Sequence, residues 1–175
     1  MLKKNVVLMC FSAFFVVFLC VCGMVSFPLI GGVSFTLQTF GVALCGYVLG
    51  VGWSNICILA YISLGFVGFP VFSGLGAGIG VIAGPTGGFL VGFIPLGLAC
   101  AVSKKIKPLM LQLLISFLGI AVCHIMGVLW LWIQSGGTFY SAFAVGSFPF
   151  IIKDLILVFA AFFISNSNIF KKLKI

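Results

Sequence analysis

Asp154 is the only acidic side chain in 175 residues, and it stands inside the apolar run "SFPFIIKDLILVFAAFF" with Lys153 beside it. A charged group in the middle of a membrane helix costs about 2.5–3.5 kcal/mol on insertion scales, so it should face a pocket or a partner rather than lipid. The chemistry open to such a group is recognition. An ionised carboxylate accepts hydrogen bonds, and it does so more strongly where water is excluded. One carboxylate cannot form a general acid–base pair, and neither a GxxxxGK[ST] phosphate loop nor a metal-ligand cluster accompanies it. "GLGAGIG" has the glycines of a dinucleotide loop but no strand before it. The sequence therefore predicts a binding site and no enzyme, with no cofactor. The plainer alternative is an internal ion pair of Asp154 with Lys153 or His124 that only fixes helix packing.

The elements that must position these groups follow from composition. The chain is 63% apolar and 6% charged, with 21 Phe, too few polar residues to cover a water-soluble core. Long unbroken apolar runs exclude the alternation of a membrane barrel, so the expected fold is an all-α integral membrane protein. Residues 5–25 form the first span, between Lys3-Lys4 and "PLIGG". Residues 36–68 are too long for one span, and "GVGWSN" divides them into 36–50 and 53–68. Further spans cover about 80–102, 109–133 and 148–166, giving one domain of six transmembrane helices over 1–175.

Six spans place the N-terminus, the 102–109 connection and the C-terminus on one side, and those places hold eight of the nine lysines. The positive-inside tendency puts both termini in the cytoplasm, as expected of a multi-pass protein of a bacterial plasma (inner) membrane. The formal charge of +8 is thus an orientation signal and not a nucleic-acid footprint. Residues 1–25 resemble a signal peptide only superficially, since the run is long and "VCGMVS" is a poor cleavage site. The seven cysteines follow no zinc or redox spacing and read as small packing residues.

Topology then assigns depths. Thr36 and Gln38 lie near the outer face, Thr86 roughly 9 Å below it, Asp154 roughly 10 Å and His124 roughly 13 Å. These groups from four helices share the outer half of the membrane and predict an outward-facing cavity. Each also has a bland reading: Gln38 as an interfacial polar residue, His124 as a bonded interior one, Lys153 as a snorkelling cation. Gly76, Gly80, Gly84, Gly88 and Gly92 recur at every fourth residue, a stripe suited to close helix approach, with Pro85 making its first turns irregular.

Three blocks together resemble the BioY family, the biotin-binding S components of energy-coupling-factor transporters. They are "VSFTLQTFGVALCGYVLG" at 33–50, "LGFVGFPVFSGLGAGIGVIAGPTGGFLVGF" at 64–93 and "FPFIIKDLI" at 148–156. The resemblance implies biotin uptake from the external side by a six-helix S component that works with a coupling subunit and ATPases. It assigns Asp154 to the family aspartate, Thr36 and Gln38 to the TLQT segment, and Thr86, Gly87, Gly88 and Phe89 to the GPTGGY motif. Phe72 and Phe89 would pack the ligand's apolar part. Two alternatives stand beside it: a stand-alone oligomeric biotin facilitator, and an S component for another small vitamin. The chain departs from the family pattern in four places, one being that span one has no Ala-xxx-Ala pair around "CFSAFFVVFLC" for docking a coupling subunit. Leu157 stands where a lysine is usual, Lys153 replaces a glycine, and Phe89 replaces a tyrosine. Lys153, one residue from Asp154 and about 100° around the helix, is expected to supply the missing cation.

Overall fold

The computed structural model describes residues 2–28, 33–167 and 170. The carboxy-terminal lysines and the "LIGG" segment fall outside them. Helix α1 (Leu2–Met24) leads into a small antiparallel ribbon, β1 (Ser26–Pro28) and β2 (Ser34–Thr36), whose register pairs Phe27 with Phe35. This ribbon is the exception to the expected all-α fold. Helix α2 (Gln38–Val67) follows, then a 3-10 turn at Ser73–Leu75, α3 (Ile79–Ile82), α4 (Gly87–Ser103), α5 (Leu109–Ser135), α6 (Phe139–Gly146) and α7 (Phe148–Ser165).

Helix α2 is not a straight rod. Gly50 has φ 74° and ψ 179°, a conformation essentially confined to glycine, and the helix breaks there. In an unbroken helix Gln38 and Tyr61 would stand roughly 34 Å apart. Instead the Gln38 amide nitrogen lies 2.5 Å from the Tyr61 hydroxyl. The Cys45 thiol likewise lies 3.9 Å from the Ser54 carbonyl. The two arms of α2 therefore fold side by side, as the division of 36–68 anticipates. Helices α1, α2, α5 and α7 are each long and apolar enough to cross a membrane, and α4 is a shorter apolar helix of 17 residues.

Boundary chemistry explains where the helices stop. Gly68, at φ 113°, closes α2 with its N–H on Gly65, and the Phe69 N–H returns to Leu64, an αL C-cap. Gly136, at φ 62°, ends α5, and the Thr138 hydroxyl caps α6 by accepting from Ser141 N–H at 3.2 Å. Pro149 sits in the first turn of α7, where its missing N–H costs nothing. The regular helix of the fourth apolar segment begins at Gly87, later than the span start at 80. Residues 83–86 turn irregularly ahead of it, so of the glycine stripe only Gly88 and Gly92 lie on α4. "QSGGTFYSAFAVGS", read as a polar exit, contains helix α6.

Helix α4 is central, packing on α5 and on α2. A Cβ at Gly88 would collide with Trp130, and one at Gly92 would come within 2.9 Å of Cys123, so the two glycines let α4 and α5 approach closely. Phe15, Leu19, Val42, Ile58, Tyr61, Leu96 and Val158 build the fully buried core between α1, α2, α4 and α7.

Candidate functional site

One end of the bundle gathers the C-terminus of α1, the ribbon, the N-termini of α2, α4 and α7, and the C-terminal half of α5. A cavity opens among them. Thr36, Gln38, Phe72, Thr86, Phe89, His124, Lys153 and Asp154 all line it.

On the α7 wall, Asp154 is buried and doubly engaged. Its Oδ1 is 2.7 Å from Lys153 Nζ and its Oδ2 is 3.2 Å from His124 Nε2. Neighbouring helix positions diverge by about 100°, and the flexible four-carbon stem of Lys153 spans that divergence. Lys153 Nζ also donates to the Thr36 carbonyl at 3.1 Å and sits 4.8 Å over the Phe35 ring and 5.5 Å over Phe150. Lys153 thus joins α7 to the ribbon through the Thr36 carbonyl and the Phe35 ring, while holding the Asp154 carboxylate and lying over Phe150 on its own helix. His124 is held at both ring nitrogens, since Nδ1 lies 2.9 Å from the Ser147 hydroxyl. Both partners considered for Asp154 are therefore in contact with it, and they stand in the wall of the cavity.

The adjoining wall, on the ribbon and the start of α2, is polar but uncharged. Thr36 Oγ1 donates to Gln38 Oε1 at 3.0 Å and accepts from the Gln38 backbone N–H at 3.4 Å. Gln38 Nε2 in turn meets Tyr61, whose hydroxyl donates to the Val71 carbonyl at 3.1 Å. Phe72, Phe89, Leu90, Phe93, Leu96 and Phe150 supply the apolar remainder. Phe89 packs edge-on against His124 with centroids 6.1 Å apart, and Phe72 does the same against Tyr61 at 5.5 Å. The composition is that of a small-molecule pocket, mainly apolar and aromatic with a few convergent polar groups. Among the described residues, no three His, Cys, Asp or Glu side chains gather as metal ligands would.

Gly87 and Gly88 are placed otherwise. A Cβ at Gly87 would strike the Ile82 carbonyl, and Gly88 faces Trp130, so both serve close packing beside the cavity. Trp130 Nε1 also donates to the Gly84 carbonyl at 2.9 Å, and the Gln134 side-chain amide donates to the Ala83 carbonyl, tying the irregular turn before α4 to α5. The sequence reading did not single out Ser147, Thr39, Phe93, Phe150 or, behind the wall, Tyr61. Serines and aromatics are too common in an apolar chain to signal a site. Tyr61 reaches Gln38 only because α2 folds back on itself.

The BioY family model matches residues 2–173. The chain belongs to the BioY family. Among its relatives are the probable biotin transporter BioY of Pyrococcus horikoshii, 38% identical over 137 residues (78% of this chain and 81% of that one), and the biotin transporter BioY of Thermotoga maritima, 38% identical over 147 residues (78% and 81%). The fold is that of a solved S-component for biotin from an ECF-type ABC transporter, with a TM-score of 0.82, 22% identity and coverage of 96% of this chain and 95% of that one. The resemblance in the TLQT, GPTGG and FPFIIKDLI blocks thus extends over nearly the full length. The chain is a multi-pass membrane protein of a transporter family.

Proposed function

We propose that this BioY-family chain binds biotin from the external side of the plasma membrane and carries it inward, acting as a transporter and not as an enzyme. One observation carries the reading. In a chain of this family, Asp154, Lys153, Thr36 and Gln38 converge from three elements on one aromatic-lined cavity. Biotin has two ureido N–H donors, a strong carbonyl acceptor, an apolar bicycle and a carboxylate tail. Asp154 accepts from a ring N–H, a charge-assisted bond in a site shielded from water. Lys153 serves the ureido carbonyl or the tail carboxylate, while Phe72 and Phe89 pack the bicycle.

The chain crosses the membrane six times: α1, the two arms of α2, α4, α5 and α7. Both termini and the Lys104–Lys107 connection face the cytoplasm, which places the cavity at the external end. The ligand is energised inward by an ATPase module with a coupling subunit, supported by the likeness to an ECF-type S-component and by the lack of a phosphate-loop motif in this chain.

Titration calorimetry of the purified protein with biotin tests the site. Losing a hydrogen bond to a charged group costs about 1.5–3 kcal/mol, so Asp154→Asn is expected to weaken binding by roughly 10- to 150-fold. Equal affinity in the two proteins, or no binding by the unmodified chain, overturns the proposal.

A further inference from the structure

The uncharged polar wall, joined to Asp154 through the Lys153 ammonium, has a direction set by its donors and acceptors. A backbone carbonyl only accepts, so the Tyr61 hydroxyl must spend its one proton on the Val71 carbonyl, 3.1 Å away. Towards Gln38 the Tyr61 oxygen can then only accept. The Gln38 atom facing it must be the amide nitrogen, and the amide oxygen is thereby turned to Thr36. Thr36 in turn spends its hydroxyl proton on that oxygen. The relay runs one way: Thr36 O–H to Gln38, Gln38 N–H to Tyr61, Tyr61 O–H to Val71.

Its two ends lie in different places. Thr36 and Gln38 line the cavity, whereas Tyr61 is fully buried behind the wall and Val71 lies with it. Every proton is passed away from the cavity end. What remains there is a spare lone pair on Thr36 Oγ1 and another on Gln38 Oε1.

We infer that Tyr61 is a positioning residue that fixes this wall as a hydrogen-bond acceptor, so that together with the neighbouring Asp154 carboxylate the cavity selects a ring carrying two N–H donors. The inference rests on the biotin reading and deepens it. A cyclic urea is such a ring, and a ring with oxygen in place of either N–H would meet lone pairs against lone pairs. The enforcement is local and tight. A Cβ at Gly23 would lie 2.7 Å from the Tyr61 oxygen, and the Tyr61 ring is buttressed edge-on by Phe72. Without the Tyr61 hydroxyl, the Gln38 amide is released to turn over. Its nitrogen then donates to Thr36, the Thr36 proton is freed, and the wall changes from acceptor to donor.

Calorimetry of the full chain with biotin and its two cyclic-carbamate analogues, each with one ureido N–H replaced by a ring oxygen, tests this. In the unmodified protein both analogues should bind roughly tenfold or more weakly than biotin, the cost of one mismatched polar pair. In Tyr61→Phe, discrimination against one analogue should fall to within about threefold while that against the Asp154-side analogue persists. A merely structural role for Tyr61 would weaken all three ligands together and leave both ratios intact, and that result overturns the inference. Gln38→Leu should abolish the same single ratio with Tyr61 in place, so the test survives if Tyr61→Phe fails to fold. Retention of both ratios in Gln38→Leu also overturns it. An unmodified protein that binds no biotin defeats the ligand assignment itself, a result distinguishable from intact ratios in the variants.

Discussion

Lys153 and Asp154 form a buried pair whose side chains are only 10% and 9% exposed. Removing one partner of such a pair leaves an uncompensated charge, at a typical cost of roughly 3–5 kcal/mol, whereas replacing both by apolar groups is often neutral. Lys153→Met should therefore lower the melting temperature in detergent and weaken biotin binding, because the ammonium also tethers Thr36. The double variant Lys153→Met/Asp154→Leu should recover much of the thermal stability while binding stays lost. If Lys153→Met binds biotin with unchanged affinity, Lys153 is not the cation that stands in for the lysine absent at Leu157. His124 shares the carboxylate, yet its other nitrogen is already engaged by Ser147, so it is poorly placed to take over the ammonium's contacts.

Glycines at the element scale separate into those the packing requires and those it does not. At Gly88 a Cβ would meet Trp130 and stand 2.6 Å from the Met126 carbonyl, part of the α5 backbone and unable to swing aside. Gly88→Ala should destabilise by about 1–3 kcal/mol, the usual penalty of overpacking, read as a lowered melting temperature. At Gly52 nothing lies within 4 Å, and the residue sits in a helical arm. Gly52→Ala should be neutral or stabilise by up to about 1 kcal/mol. Gly50 has equally open surroundings but a backbone that side chains rarely adopt. Gly50→Ala should cost roughly 1–3 kcal/mol through strain alone, and a variant as stable as its parent would show that the fold-back does not depend on it. Three glycine positions thus behave differently, for reasons of space in one and torsion in another.

At the scale of the whole molecule, one end of the bundle carries the cavity, and the other carries Lys104, Lys105 and Lys107 between α4 and α5. Lys104 donates to Asn166 at 2.6 Å and lies 5.1 Å from the Phe162 ring centroid. The sequence contains no GxxxxGK[ST] phosphate loop, and in the proposed function energisation comes from a partner module. Uptake of labelled biotin by a biotin-auxotrophic host should therefore rise several-fold when a coupling subunit and ATPases are co-expressed. An uptake rate identical with and without that module would favour the stand-alone facilitator, and cross-linking would then be expected to capture an oligomer.

Composition and charge placement alone were enough to predict a helical membrane protein, because few polar residues in long apolar runs leave no other way to satisfy the backbone. They also predicted a functional acid at Asp154, since a lone carboxylate in such a run is costly wherever it lacks a partner. Thr36, Gln38, Thr86, His124 and Asp154, which depth arguments brought together, all line one cavity, because depth along a helix is linear in residue number. Azimuth and folding back are not linear in that way. That Gly87 and Gly88 pack against neighbours beside the cavity, that Ser147 holds His124, and that Tyr61 stands behind Gln38 depended on how the rods rotate and where α2 doubles over. Contacts between residues 23 apart in the chain leave no trace in its periodicity. They arise only once the arms lie side by side.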